Sequence, residues 1–295
     1  MGLQSDINVI TAKAEDVKLI RKLSRIKHTI VVMSGKGGVG KSTVTVNLAV
    51  GLAMRGFEVG ILDADIHGPN IPKMLKVEDV QLIADDEGIY PAVIPPHLKV
   101  MSMAFLSPNR DQPIIWRGPM KMGAIRKFIE DVYWGDLDYL IVDLPPGTGD
   151  EPLTIAQLIP NADGSIVVTT PQDVALLDSR KTVVFSEGLH LPVVGIVENM
   201  AGLICPHCGK EIDLFKIGGG EKAAHDLEVP FLGRVPIDPE VVNTGDEGVP
   251  IVASSPDSPA ATAFNSIIEK VIEFVNKEKA PRAPRPELRK KEKKT

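Results

Sequence analysis

The stretch SGKGGVGKST, Ser34 to Thr43, is the strongest fold signal in the sequence. It follows the apolar run TIVVMS (29–34) and opens a helical pattern that begins at Lys41. Residues 35–42 satisfy the pattern G-x-x-x-x-G-K-[ST], in which glycines let backbone N–H groups surround phosphate oxygens. The N-terminus of the following helix adds a partial positive charge. The sequence therefore predicts a phosphate-binding loop between a strand and a helix.

Each position of this loop has an expected contact. Lys41 is expected to reach the β- and γ-phosphates, the Ser42 hydroxyl to ligate Mg²⁺, and Thr43 to bond the α-phosphate. The residues before them are expected to offer backbone N–H groups to the phosphates. These residues are Gly35, Lys36, Gly37, Gly38, Val39 and Gly40.

Short β-branched runs alternate along the chain with longer helical patterns. The runs cover 29–34, 58–65, 98–105, 138–146, 165–170, 193–200 and 231–236, and the helical patterns cover 41–56, 121–133, 151–159, 173–189 and 261–278. The centres of the runs are continuously apolar, which is typical of parallel strands covered on both faces. This alternation predicts an α/β fold with a doubly wound, mainly parallel sheet and helices on both faces. The stretch 66–97 is rich in Pro, Gly and acidic residues, and predicts an excursion with a small hairpin.

We divide the chain into three segments. Residues 1–27 are expected to form a helical extension, with Val17, Ile20, Leu23 and Ile26 at helical spacing. Residues 28–278 are expected to form the nucleotide-binding domain. Residues 279–295 are basic and interrupted by prolines, which predicts a disordered tail.

Composition narrows the class of protein. The chain has 295 residues and a net charge of -6, so its overall charge does not favour binding to nucleic acid. It contains no long apolar run and no charged-then-apolar leader, so we expect neither a membrane span nor secretion. Two cysteines can form at most one disulfide, which is too few to stabilise a domain of this size. We therefore expect the protein in the reducing cytoplasm.

Three aspartates follow strand-like runs. Asp63 and Asp65 end the run ILDAD, and Asp143 ends the run LIVD. Because ligands of open α/β sheets bind beyond the carboxyl ends of the strands, we expect these carboxylates to converge on the phosphate loop. Asp143 is expected to hold Mg²⁺ through water, Asp63 to help around the metal, and Asp65 to orient the attacking water.

Base recognition is expected from later strand ends. The N-K-x-D pattern that reads guanine is missing, which favours ATP over GTP. Asn199 has the amide donor and acceptor needed to read an adenine edge, and the backbone around Pro236 is expected to pack on the same ring. The alternative for Asn199 is an ordinary turn residue.

The only two cysteines, Cys205 and Cys208, stand in the stretch CPHCG. A C-x-x-C turn holds a tetrahedral metal or a cluster, yet a closed site needs four ligands and the chain offers two thiols. A redox pair is the third possibility, but no thioredoxin-like strand order surrounds it. Spacing leaves zinc and iron–sulfur equally open, because four thiolates from two chains would suit either.

Several motifs together resemble the Mrp/ApbC-type iron–sulfur cluster carrier ATPases, which belong to the deviant Walker A class. The resemblance implies an ATP-hydrolysing homodimer that holds a labile [4Fe-4S] cluster and passes it to apo iron–sulfur proteins. It implies that Cys205 and Cys208 of each subunit hold this cluster, with zinc as a possible occupant. It also implies that Lys36 crosses the dimer interface to act in catalysis with Lys41 and Asp65. The motifs are the phosphate loop, LDADIHGPNIP, WRGPMK (116–121), DYLIVDLPPGTGDE, ENMAG, CPHCG and GRVPIDP.

Other functions remain in view from the sequence. A spatial-positioning ATPase of the MinD/ParA type shares the loop, but the basic tail lacks the apolar anchors of a membrane-binding helix. We therefore expect neither membrane binding nor specific nucleic-acid binding. A zinc-stabilised dimeric regulatory ATPase and an electron-transfer ATPase like the nitrogenase iron protein are further alternatives, although the latter spaces its cluster cysteines far apart.

Overall fold

A computed structural model describes residues 22–66, 68–106, 118–159, 162–205, 207–212, 214 and 216–277. Most of the predicted N-terminal helix, the basic tail and the beginning of WRGPMK lie outside these residues. The structural predictions for these segments therefore stay predictions.

An eight-stranded sheet forms the centre of the described part of the chain, in the order β12-β9-β8-β1-β7-β2-β6-β5. Its strands are β1 (Ile26–Met33), β2 (Val59–Asp63), β5 (Ala92–Ile94), β6 (Leu98–Ser102), β7 (Leu137–Asp143), β8 (Gly164–Thr169), β9 (Val193–Glu198) and β12 (Phe231–Arg234). Only β5 runs antiparallel to its neighbour among these strands. Two small hairpins pair β3 (Ala84–Asp85) with β4 (Gly88–Ile89), and β10 (Leu203–Ile204) with β11 (Glu211–Ile212). The predicted doubly wound, mainly parallel sheet is confirmed.

Helices cover both faces of this sheet. They are α1 (Lys41–Ala53), α2 (Ile71–Met74), α3 (Gly118–Asp131), α4 (Asp150–Leu158), α5 (Asp173–Gly188), α6 (Gly219–Asp226), α7 (Pro239–Glu247), α8 (Ile251–Ser254) and α9 (Pro259–Lys277). The apolar residues of α1, α2, α8 and α9 share one core, whereas α3, α4, α5 and α6 pack on the opposite face. Of the helices in the described residues, none is long and apolar enough to cross a membrane.

The central strand shows why the apolar runs are continuous. Ile30 and Val32 point into the core under α1, whereas Val31 and Met33 point into the core on the other face. All four are at most 1% exposed. Because successive side chains of a strand alternate between faces, a strand buried on both sides must be apolar at every position.

Some boundaries differ from the sequence prediction. The assignment of Ile26 to the N-terminal helix was wrong, because this residue begins β1 and pairs with Leu137. Asp65 lies two residues beyond the end of β2. The small hairpin expected within 66–97 is present as β3 and β4. The helices α2, α6, α7 and α8 were not predicted, because each is at most nine residues long and too short for a clear apolar repeat.

The core under α1 and α9 gives a stability prediction. Phe264 on α9 is 1% exposed, so Phe264→Ala leaves a cavity and should lower the free energy of unfolding by about 3–5 kcal/mol. Val242→Ala on α7 is the control, because Val242 is 64% exposed and its truncation should cost no more than about 0.5 kcal/mol. Urea unfolding followed by circular dichroism measures both, and equal losses would contradict this assignment of the core.

Candidate functional site

The phosphate loop connects the end of β1 to the first turn of α1. Gly40 occupies the N-cap of α1 with φ 81°, in the left-handed region that favours glycine. A Cβ on Gly40 would lie 2.1 Å from Nδ2 of Asn199, and one on Gly35 would lie 2.5 Å from the backbone of Asp178. The loop is therefore packed from behind by β9 and α5, and its glycines are required by close contact as well as by conformation.

A cavity of about 400 Å³ lies over this loop. Outside the loop and α1, it is lined by Asp65, Gly68, Asn70, Met74 and Pro146. Val39 does not line it, because its side chain is buried in the core. The cavity thus brings together most of the residues expected to bind nucleotide. From the loop and the start of α1 it is lined by Ser34, Lys36, Gly37, Gly38, Gly40, Lys41, Ser42 and Thr43.

Asp143 is the polar centre of the site. Its carboxylate is fully buried, and Oδ2 accepts from Lys41 Nζ at 2.6 Å and from the Ser42 hydroxyl at 2.7 Å. Oδ1 accepts from the Thr45 hydroxyl at 2.6 Å. Sequence reasoning missed Thr45, although it lies one helical turn after Lys41 and so shares its face of α1. The buried carboxylate is therefore fully satisfied by the first turns of α1.

Asp63 lies beside Asp143, because the two residues pair in register across β2 and β7. It is fully buried, and its Oδ2 accepts from the Ser102 hydroxyl at 2.8 Å. Burial first, and then the charge of Asp143, raise the pKa of Asp63 to about 8. Burial and the neighbouring carboxylate therefore favour the protonated form of Asp63.

Asp65 lies at the wall of the cavity. It is 8% exposed, and its Oδ2 is 3.9 Å from Lys41 Nζ. The segment after β7 closes on the same loop, because Gly147 N–H donates to the carbonyl of Ser34 at 2.8 Å. The position of Asp65 suits a water-orienting role, which stays a prediction.

Asn199 and Pro236 do not line the cavity. Asn199 follows β9, is 5% exposed, and its Nδ2 donates to the carbonyl of Val39 at 2.9 Å. Its amide therefore supports the phosphate loop from beneath, a contact that the sequence did not reveal. Adenine recognition by either residue stays a prediction.

The cysteines stand on the turn between β10 and β11. Cys205 N–H donates to the carbonyl of Lys210, and Gly209 N–H donates to the carbonyl of Cys205, both at 2.9 Å. Cys205 is half-buried, Cys208 is exposed, and both are free thiols. Backbone N–H groups of His207 and then of Cys208 hold the pKa of Cys205 below its usual value, which favours the thiolate.

The hairpin by itself is an incomplete metal site. Within the ranges that the structure describes, no three His, Cys, Asp or Glu side chains cluster closely enough to hold a metal ion. The turn therefore offers two thiols and no third ligand from the described residues. The half-site expected from the sequence stays a prediction.

Fold and site together define a P-loop NTPase: a phosphate loop after the central strand, an acid at the end of the neighbouring strand, and a cavity over the loop. The family model for the NUBPL iron-transfer P-loop NTPases matches residues 25–272. The chain belongs to this family, which confirms the resemblance drawn from the sequence motifs.

Named relatives agree with this assignment. Iron-sulfur cluster carrier proteins of Methanocaldococcus jannaschii and Saccharolobus solfataricus are 52% and 47% identical to the chain. The matches cover 90% and 89% of this chain, and 91% and 89% of the relatives.

Solved structures share the fold. One is a nucleotide-binding protein from Archaeoglobus fulgidus, solved in complex with ADP and reported to contain cobalt. It is 41% identical to this chain with a TM-score of 0.70, and the match covers 79% of this chain and 91% of that one. The cell division ATPase MinD of Pyrococcus furiosus is 25% identical with a TM-score of 0.63, over 84% and 99%.

The buried Asp63 gives a pH prediction. In the folded protein it stays protonated up to about pH 8, whereas an unfolded aspartate ionises at about pH 4. Unfolding between these values releases a proton, so the contribution of Asp63 to the free energy of unfolding falls as the pH rises from about 4 to about 8. Asp63→Asn removes this dependence and keeps an acceptor for Ser102, so its advantage over wild type should grow by at most about 1.4 kcal/mol per pH unit.

Urea unfolding of both proteins across this pH range measures the effect. Asp246→Asn on α7 is the control, because Asp246 is exposed; it should follow the wild-type profile. Parallel profiles for wild type and Asp63→Asn would show that Asp63 is ionised in the folded protein.

Proposed function

We propose that this protein is an ATP-hydrolysing iron–sulfur cluster carrier that binds a [4Fe-4S] cluster between two copies of the chain and passes it to apo iron–sulfur proteins in the cytoplasm. The observation that carries the proposal is the presence in one chain of a phosphate loop under a cavity and of a pair of free thiols, of which Cys205 is half-buried and Cys208 exposed. The names of the relatives support the same cargo.

The nucleotide part of the proposal rests on the residues around Asp143. Lys41 and the loop N–H groups bind the phosphates of ATP, and Thr43 lies on the same wall of the cavity. Mg²⁺ fits the donor set, because the Ser42 hydroxyl and the Asp143 carboxylate offer adjacent hard oxygen ligands, with Asp63 behind them. When bound, Mg²⁺ neutralises charge on the phosphate oxygens.

Hydrolysis requires a water molecule to attack the γ-phosphorus while the bond to the β–γ bridging oxygen breaks, giving ADP and phosphate. Asp65 is the proposed group that orients this water, since it lines the cavity over the loop. Lys36 also lines the cavity, at the second position of the loop. In the proposed dimer it reaches the partner's nucleotide and stabilises the charge that develops on the phosphates.

The cluster part of the proposal rests on symmetry. A two-fold axis would place the Cys205 and Cys208 thiols of one subunit beside those of the other and complete a four-thiolate site. Such a site also suits zinc, so a zinc-stabilised dimeric regulatory ATPase is the alternative that shares every structural feature. A MinD/ParA-type positioning ATPase is supported by the fold of its solved relatives but leaves the thiol pair without a role.

The two loop lysines should separate binding from hydrolysis. Lys36→Ala should keep ATP affinity and lower the hydrolysis rate by about 10³-fold, the effect of a cation supplied in trans. Lys41→Ala should weaken ATP binding itself by tenfold or more, because it removes charge-assisted hydrogen bonds to phosphate. Lys277→Ala is the control, since that ammonium is exposed and bonds only Glu273 among the described contacts. Calorimetry measures the affinity for ATP, and phosphate release measures the hydrolysis rate. An unchanged hydrolysis rate in Lys36→Ala would contradict its proposed role.

The thiols should hold the cluster. Anaerobic reconstitution of wild type with iron and sulfide should give about four irons per dimer and a broad visible absorption. The double variant Cys205→Ser, Cys208→Ser should bind none, while His207→Ala should retain the cluster, because the exposed His207 side chain is not a proposed ligand. Native mass spectrometry reports subunit count and metal together. A cluster retained in the double variant, or zinc alone bound by wild type under these conditions, would overturn the carrier proposal.

A further inference from the structure

Two adjacent residues at the end of β9, Glu198 and Asn199, make side-chain hydrogen bonds to two different parts of the chain. Asn199 bonds the phosphate loop, and Glu198, the residue before it, bonds the chain where it returns from the cysteine hairpin. Neither residue lines the nucleotide cavity. Their position raises the question of what they do for a protein that must place both sites.

The contact of Asn199 with the phosphate loop is tight. Its Nδ2 donates to the carbonyl of Val39 at 2.9 Å and lies where a Cβ of Gly40 would stand. Its own N–H donates to the carbonyl of Thr169 at 2.8 Å, which fixes it to the edge of the sheet. The loop backbone before α1 therefore cannot shift without moving this amide or breaking its hydrogen bond.

Glu198 holds the chain at Gly218 and Gly220, where α6 begins after the cysteine hairpin. Its carboxylate is fully buried; Oε1 accepts from Gly218 N–H at 2.9 Å and from Arg234 Nε at 3.0 Å, and Oε2 accepts from Gly220 N–H. Gly218 and Gly220 begin α6, so the carboxylate also meets the positive end of that helix. Removing one of these donors would leave a buried charge uncompensated, which is strongly unfavourable, so the contact resists displacement.

The outgoing side of the hairpin begins at the same place. Met200, directly after Asn199, adopts φ 55° and turns the chain away from the sheet. Ala201 N–H then donates to the carbonyl of Val235 at 3.0 Å, and Ile237 N–H donates to the carbonyl of Gly202 at 2.8 Å. Both ends of the segment that carries the cysteines are thus fixed within a few residues of Glu198 and Asn199.

We infer that Asn199 and Glu198 are positioning residues that link the phosphate loop to the cysteine hairpin, so that a nucleotide on the loop changes the placement of the Cys205 and Cys208 thiols. The inference rests on the proposed function, in which one chain binds both nucleotide and cluster. The link is short, because Asn199 and Cys205 are six residues apart and the intervening backbone is held by hydrogen bonds at both ends. Coupling of this kind is reciprocal, so loss of the thiol ligands should also alter the affinity for nucleotide.

Thiol reactivity of the reduced, metal-free full chain tests the link directly. The alkylation rates of Cys205 and Cys208 with iodoacetamide are measured with and without Mg²⁺ and ADP, at a concentration saturating for each variant and at which light scattering shows no change in mass. In wild type, ADP should change the rate of at least one thiol by about fivefold, the lower end of typical coupling between two sites. In Asn199→Ala the rates with and without ADP should be equal.

Asn276→Ala on α9 is the matched control, because Asn276 is an exposed asparagine on the last helix and does not line the nucleotide cavity; it should respond as wild type does. Glu198→Gln is the second variant, since its amide cannot accept from all three donors. It should keep wild-type affinity for ADP but lose most of the ADP response. If Asn199→Ala does not fold, Glu198→Gln and Asn199→Asp carry the test.

The link would be overturned if ADP did not change the alkylation rates of the wild-type thiols, or if it changed them in Asn199→Ala and Glu198→Gln as much as in wild type. These outcomes are separate from the proposed function, because cluster binding is measured on the same preparation by reconstitution. Cluster binding without an ADP response rejects the link alone. An ADP response without cluster binding rejects the carrier function alone.

Discussion

The rest of the structure depends on the buried ion pair between Lys41 and Asp143. A carboxylate with no exposed surface is tolerated only when its partners satisfy it, and Asp143 has an ammonium and two hydroxyls. All three donors come from the first turns of α1, whereas the carboxylate ends β7. The pair therefore fixes the start of α1 against the edge of the sheet, and the phosphate loop between β1 and α1 follows from that position.

The same pair explains the electrostatics around it. A second carboxyl, Asp63, lies in register beside Asp143, and burial together with the charge of Asp143 raises its pKa to about 8. The protonated form of Asp63 is therefore favoured over its anion. A divalent cation near Ser42 would oppose this effect, because added positive charge stabilises the anion of Asp63.

The sequence predicted the architecture well because its signals are local or periodic. The apolar runs of β1, β2, β7, β8 and β9 require burial on both faces, and the glycine pattern requires a tight loop before a helix. The contacts of Thr45, Ser102 and Glu198 were not predictable, because each joins residues that are far apart in the chain. Asn199 illustrates the limit: its residue type indicated a polar contact, but only the fold shows that its amide meets Val39.

The boundary errors have a related origin. Ile26 continues an apolar spacing that also fits a helix, and only the pairing of β1 with β7 decides between the two. The short helices α6 and α7 have Gly218 and Asp238 as their N-cap residues. These capping residues are visible in the sequence, but the helices are too short to show a periodic apolar pattern. Tertiary contacts, such as the carboxylate of Glu198 on the first N–H groups of α6, stabilise what local propensity leaves undecided.

The two sites differ in burial in a way that suits their proposed tasks. The groups that hold the phosphate loop, Lys41, Asp143 and Asn199, are nearly or fully buried, so the loop is preorganised for its ligand. The thiols stand on a two-stranded hairpin, with Cys208 exposed, where few contacts resist displacement. A cluster held there between two copies of the chain would be reachable by an acceptor's thiols without unfolding either core. The buried carboxylate of Glu198 joins the start of α6 to β9 and β12, so the chain that follows the hairpin is fixed to the same sheet that carries the phosphate loop.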